Sequence, residues 1–154
     1  MSKFVVAEQG HVVTLFTPQT QTAALTSEVF SMENWGHATI IVLGGAGSAP
    51  TVTVRECDNF TPSNSATKTF MYATEATASG DVLDAALAAA TTAGVSIGTA
   101  TGTIFVIEID NDELSDGYPC VQINLSAVGS KVVSAVAVLS GGRFMEDITS
   151  TVIA

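Results

Sequence analysis

The sequence predicts an all-β fold, two antiparallel sheets packed as a sandwich or closed as a barrel. Three observations carry this. The apolar segments are short, rich in Val, Ile and Thr, and alternate with a period of two. Clusters of Gly, Pro, Asn, Asp and Ser punctuate them. Hydrophobic residues make up 47% of the 154 residues and charged residues only 13%, with no internal repeat or linker, which suits a single domain over 1–154 with a large core.

The elements follow in order. Residues 12–16 form a first strand. HATIIVL, residues 37–43, is a second and TVTVREC, residues 51–57, a third. The glycine-rich stretch 44–50 between them predicts a hairpin. Strict alternation puts Glu56 on the same face as Val52 and Val54, which a bulge at the strand end would relieve. Residues 67–73 are a fourth strand, and TPSNS at 61–65 is a turn within the domain. In IFVIEID, residues 104–110, Phe105, Ile107 and Ile109 face the core while Val106, Glu108 and Asp110 face outward. In PCVQINL, residues 119–125, Val121, Ile123 and Leu125 face inward. These two runs read as an antiparallel pair across an acidic gap. Residues 131–139 (KVVSAVAVL) are apolar on both faces and predict a central strand buried on both sides. A weak last strand covers 148–153. SGDVLDAALAAATTAG carries helix signals, a Ser or Asp N-cap and an end before Gly94, so a short helix over 81–91 competes with a loop.

The net charge is −10, and the five basic residues, Lys3, Arg55, Lys68, Lys131 and Arg143, are scattered. Nucleic acid and anionic membranes need clustered cations, so both are excluded as expected partners. The N-terminus lacks the long apolar core of a signal peptide, and no stretch is long enough to span a bilayer. The expectation is a chain made in a cytoplasm and leaving it only inside a larger particle. There Cys57 and Cys120 default to free thiols. Both fall on the polar side of their strands and would face each other if those strands are neighbours.

Little points to chemistry. In DNDELSDGY, Asp110, Asp112, Glu113 and Asp116 offer hard oxygen ligands for calcium. The EF-hand positions that need Gly and Glu hold Ser115 and Val121, so the pattern fails, and turn chemistry accounts for every residue. No metal or cofactor is expected. Glu56 with Asp58, and Glu108 with Asp110, read as solvated faces rather than acid–base pairs. His37 opens an apolar strand and reads as a packed or edge histidine. No nucleophile triad can be assembled around His11 or His37. GGAGSAP lacks the Lys and the following helix of a phosphate loop. The residues give no catalytic set, and an enzyme is not expected.

The segments KFVVAEQGHVV, SEVFSMENWGHATIIVLGGA, TVTVRECDNFTPSNS, FVIEIDNDELSDGYPCVQINLS and VVSAVAVLSGGRF, taken in this order, resemble the small structural proteins of tailed-bacteriophage head modules, in particular capsid decoration (cement) proteins. The resemblance covers nearly the whole chain and rests on general pattern. It implies a β-sandwich of jelly-roll type with no active site and no cofactor. It also implies a place on the outer surface of the virion, with the major capsid protein as partner and copies of the chain meeting as dimers or trimers. The expected contact segments are the N-terminal arm (Lys3, Phe4, Val5), Trp35, and the tail (Arg143, Phe144, Met145); Trp35 reads more readily as a core aromatic near a strand start, and Phe4 and Phe144 read equally as completing their own core. A tail-tube or head–tail connector subunit is the nearest alternative. A surface-displayed glycan-binding sandwich is another, and it would need Trp35, Tyr72 or Tyr118 exposed for sugar stacking.

Overall fold

The computed structural model describes residues 4–75 and 86–142, which form an all-β sandwich of two antiparallel sheets. After a single helical turn, α1 (Val6–Gln9), the strands are β1 (His11–Gln21), β2 (Leu25–Thr26), β3 (Phe30–Ser31), β4 (His37–Gly47), β5 (Thr51–Cys57) and β6 (Ser65–Lys68). They continue with β7 (Phe70–Glu75), β8 (Ala88–Ala90), β9 (Val95–Ser96), β10 (Thr103–Asp110), β11 (Cys120–Leu125) and β12 (Lys131–Ser140). The larger sheet has the order β1-β12-β4-β10-β7-β8. The smaller runs β2-β11-β5-β6, with β3 beside β11 and β9 beside β5. The first four strands of the larger sheet and the four of the smaller interleave along the chain as two Greek keys do, which is the jelly-roll arrangement.

Alternation decides which face is buried. Along β10 and β12 every second residue is inside. Phe105, Ile107 and Ile109 meet Ala38, Ile40 and Val42 of β4, and Val133, Ala135, Ala137 and Leu139 of β12. The smaller sheet contributes Val52, Val54, Val121, Ile123 and Leu125 to the same core. Phe30, Met32 and Trp35 close one end, and Tyr72 stacks on Phe105 at 5.0 Å between ring centroids. At Gly47, φ is +134° and a Cβ would strike the Ser130 carbonyl, so the end of β4 requires glycine.

The pairing departs from the sequence reading in five places. Strands β4 and β5 do not form a hairpin, since β4 lies between β12 and β10 while β5 pairs with β11, β6 and β9 in the other sheet. Strands β10 and β11 are likewise in different sheets, so the acidic stretch between them crosses from one layer to the other. Alternation shows that one face is buried, but it does not say which partner lies alongside. The predicted strand at 67–73 is two strands, β6 and β7, split between the sheets at Thr69. Strand β12 is interior to its sheet but buried on one face only, with Val132 44% exposed. Of the alanine-rich stretch, residues 79–85 lie outside the described residues, and Ala88–Ala90 is a strand paired with β7 rather than helix. There the pairing offered by the β7 edge outweighs alanine's helix propensity. The weak strand at 148–153 also lies outside the described residues.

Candidate functional site

Glu56 controls the acidic stretch. It stays on the Val52/Val54 face because β5 and β11 keep continuous register through Cys57, with no bulge. A buried carboxylate there needs partners, and Ser115 supplies two. Its backbone N–H donates to Oε2 at 3.0 Å and its hydroxyl to Oε1 at 2.7 Å. Lys68 Nζ lies 3.6 Å from Oε2. Burial pushes the Glu56 carboxyl up, but the Ser115 bonds and the Lys68 charge outweigh it and hold its pKa below the ordinary value. Glu113 reaches back to accept the Asp110 N–H, as in a capping box. Asp112 and Asp116 point to solvent in this turn. Asp110, Asp112, Glu113 and Asp116 do not converge, and among the described residues no group of three acidic, His or Cys side chains is placed to hold a metal ion.

Asp110 is drawn elsewhere. It sits opposite His37 in the β10–β4 register, and Glu108 sits opposite Thr39. His37 Nδ1 is 2.6 Å from Asp110 Oδ1, and its Nε2 is 2.7 Å from Glu108 Oε2, which also accepts the Thr39 hydroxyl at 2.7 Å. A neutral imidazole has one N–H, whereas two carboxylates facing both nitrogens call for the imidazolium, in which both donate. Burial lowers the His37 pKa. The bonds to Asp110 and Glu108, with their charges, outweigh this and hold it above the usual 6.5. The two carboxylates read from sequence as a solvated face are the clamp on this histidine.

The cluster borders the most unusual surface of the molecule. An antiparallel sheet with one face on the core normally carries polar residues on the other. The smaller sheet obeys, with Thr53, Arg55, Gln122 and Asn124 outward. The larger sheet does not. Register sets Val12, Val138, Thr39 and Glu108 in one row across its outer face, and Thr14, Val136, Ile41 and Val106 in the next. Ser134, Leu43 and Ile104 make a third row. Val12 is 54% exposed, Leu43 48% and Val132 44%, and Ile41, Ile104, Val106, Val136 and Val138 are part-exposed. No Lys or Arg stands in these rows; the charges are at one end, in the His37 cluster. Monomers rarely leave a continuous apolar patch of more than a few hundred Å² open to water.

Among the described residues, a second cation near this sheet is hidden. Lys131 is fully buried, and its ammonium donates to the carbonyls of Gly98 at 3.0 Å and Ala100 at 3.3 Å. Burial lowers its pKa. Those carbonyls line a cavity of about 250 Å³ formed with Thr74, Ser96, Ile97, Thr99 and Thr103. The sequence signalled none of this, because a lysine at the start of a strand reads as solvated.

The expected contact residues divide. Phe4 and Val5 are 54% and 40% exposed, and Val6 beside them 38%. Trp35 is 2% exposed and belongs to the core, tilted against His11 at 6.1 Å, as its place near a strand start suggested, so its alternative use as a contact residue is corrected. Lys3, Arg143, Phe144 and Met145 lie outside the described residues. Tyr72 is committed to its stack on Phe105, which leaves Tyr118 alone of the three aromatics a sugar would need.

No family model matches the chain, and no curated protein matches it. Among solved structures, the crystal structure of the SPBc2 prophage-derived protein YomS is similar over 86% of this chain and 95% of that one. The identity is 13% and the TM-score 0.49. At that level the likeness carries no inference about function.

Proposed function

We propose that this chain is a non-enzymatic structural protein of a tailed-phage virion, one that binds the outer surface of the capsid and cements neighbouring major capsid proteins. The observation that carries the reading is the outer face of the larger sheet, apolar across β1, β12, β4 and β10 and bordered by carboxylates at one end. Such a face is covered in the working state, because exposed Val, Ile and Leu side chains gain about 25 cal/mol for each Å² removed from water. Charge selects the occupant. The chain carries a net charge of −10, and the rim cluster, one imidazolium between the Glu108 and Asp110 carboxylates, is itself net negative, which favours a partner bringing cations to that edge. The sequence resemblance to decoration proteins points to the same partner, the major capsid protein. Binding many equivalent sites on an assembled shell stabilises that shell by linkage, and the protein needs no chemistry to do it.

The test has two parts. Quantitative mass spectrometry of purified virions should find this chain at a level comparable with the major capsid protein. A ring-like handful of copies would replace the reading with a connector subunit, stacked rings with a tail tube, and absence from the particle would remove the virion role. Val136→Glu and Ile41→Glu should then abolish co-sedimentation with capsid shells while leaving the melting temperature nearly unchanged. Retained binding by both folded variants would show that another surface makes the contact.

A further inference from the structure

Away from this face, on the outside of the smaller sheet, Cys57 and Cys120 are direct cross-strand partners in the β5–β11 register. Directly opposed residues point to the same side of a sheet. Both thiols are free and buried, under a small lid of Val29 and Phe60 that is separate from the main core. The spacing is set by the ladder. Ser126 donates its N–H to the Thr51 carbonyl, and these two are opposed in the same register, so theirs is a hydrogen-bonded pair. Counting in twos along the strands makes Cys57 and Cys120 one as well. Such pairs place their Cα atoms about 5.5 Å apart. Disulfides most often span about 5.5–6 Å between Cα atoms.

We propose that Cys57 and Cys120 form an oxidative cross-link site, a disulfide that ties β5 to β11 without rearranging the fold. In the reaction one thiolate attacks oxidised glutathione, releasing one glutathione and leaving a mixed disulfide. The second thiolate displaces the other glutathione and completes the intramolecular S–S bond. Two protein thiols are oxidised, one glutathione disulfide is reduced to two thiols, and the two protons leave on them. Opposed Cβ atoms in a sheet stand about 4.5–5.5 Å apart, against about 3.5–4.5 Å in a disulfide. A hydrogen-bonded pair lies at the wide end of the first range, so the strands must draw together by about 1 Å, and that strain makes the bond more easily reduced than an unstrained one. Access is slow from the folded thiols. Burial, helped by the neighbouring Cys120 thiol, pushes the Cys57 pKa up to about 11, and burial raises that of Cys120 too, so little thiolate is present near neutrality. The cross-link would close a loop of roughly sixty residues holding β6 to β10. This inference does not depend on the virion reading.

The experiment is a thiol–disulfide equilibrium that does not rely on access. The full chain is refolded from urea into buffers of graded reduced to oxidised glutathione ratio and acid-quenched. Intact mass then scores the form lighter by about 2 Da, and peptide mapping places the link. A parallel series is held in denaturing urea. The expected result is a Cys57–Cys120 disulfide whose equilibrium constant is at least about tenfold larger in the folded chain than in the unfolded one, with an increased melting temperature that reductant reverses. Cys57→Ser and Cys120→Ser should fold and show no intramolecular loss of mass. Equal or smaller constants in the folded chain would overturn the proposal, as would products limited to glutathione adducts or linked dimers.

Discussion

Truncating Glu56 tests whether a single buried carboxylate fixes the crossing between the two sheets. Its side chain is 9% exposed, and Ser115 donates two hydrogen bonds to it, at 3.0 and 2.7 Å. Bonds to a charged group contribute about 1.5–3 kcal/mol each. The stretch 111–118 is mostly at the surface, so water recovers part of that when the carboxylate is lost. Lys68, itself only 16% exposed, makes the pair partly buried, but at 3.6 Å it adds less than the two short hydrogen bonds from Ser115. Glu56→Ala should therefore cost about 2–4 kcal/mol. In a chain of this size each kcal/mol moves the midpoint by about 2–4 °C, so the melting temperature should fall by roughly 5–15 °C. Glu56→Gln keeps the shape but turns an NH₂ toward a Ser115 donor, and should lose about half as much. Urea unfolding with an unchanged m-value gives the free energies. The pH dependence has a definite sign. The Glu56 pKa is held below its ordinary 4.5, so its contribution is present above that value and is lost as pH falls through the folded-state pKa. The gap between wild type and Glu56→Gln should narrow in acid. A Glu56→Ala cost below about 0.5 kcal/mol, typical of a surface change, or a gap that ignores pH, would refute the assignment.

Three further outcomes follow from the same geometry. The His37 pKa is raised, so its contribution is full below about 6.5 and is lost as pH rises through the folded value. With Asp110 58% exposed, the effect should stay below about 1 kcal/mol, read as a stability gap between wild type and His37→Gln that closes from pH 6 toward alkaline pH. Lys131→Met removes a fully buried cation that, among the described residues, donates to two carbonyls; we expect unfolding free energy unchanged or raised by about 1 kcal/mol, whereas a loss above about 2 kcal/mol would show that the ammonium anchors residues 98–100. Phe105→Ala, 1% exposed and stacked on Tyr72, should cost about 3–5 kcal/mol, while Leu43→Ala on the outer face should cost less than about 0.5 kcal/mol; equal costs in thermal unfolding would mean the two faces of the larger sheet are mis-assigned.

Period-two alternation is a local property, so the side each residue takes was legible along β5, β10 and β11. Phe105, Ile107 and Ile109 are inside, Glu108 and Asp110 outside, and both cysteines lie on the polar side of their strands. Partner choice is not local. Nothing in HATIIVL or IFVIEID tells the chain that they pair with each other across the sheet. Proximity in sequence suggested hairpins that the sandwich does not make. The site was half legible for the same reason. The acidic residues were visible, but not that Ser115 would satisfy Glu56 or that His37 would meet two carboxylates. Those contacts join residues about 60–70 positions apart.

By itself, then, the sequence determined the all-β class, the inward and outward faces, and a surface poor in cations, because alternation and composition need no knowledge of neighbours. Only the tertiary structure decided which strands pair. Pairing laid Val12, Val136, Val138, Ile41, Leu43 and Ile104 side by side as one apolar face and set Cys57 opposite Cys120. The physical reason is that each outward valine is unremarked in its own strand. It becomes a surface feature only when register brings several strands' outward residues into adjoining rows.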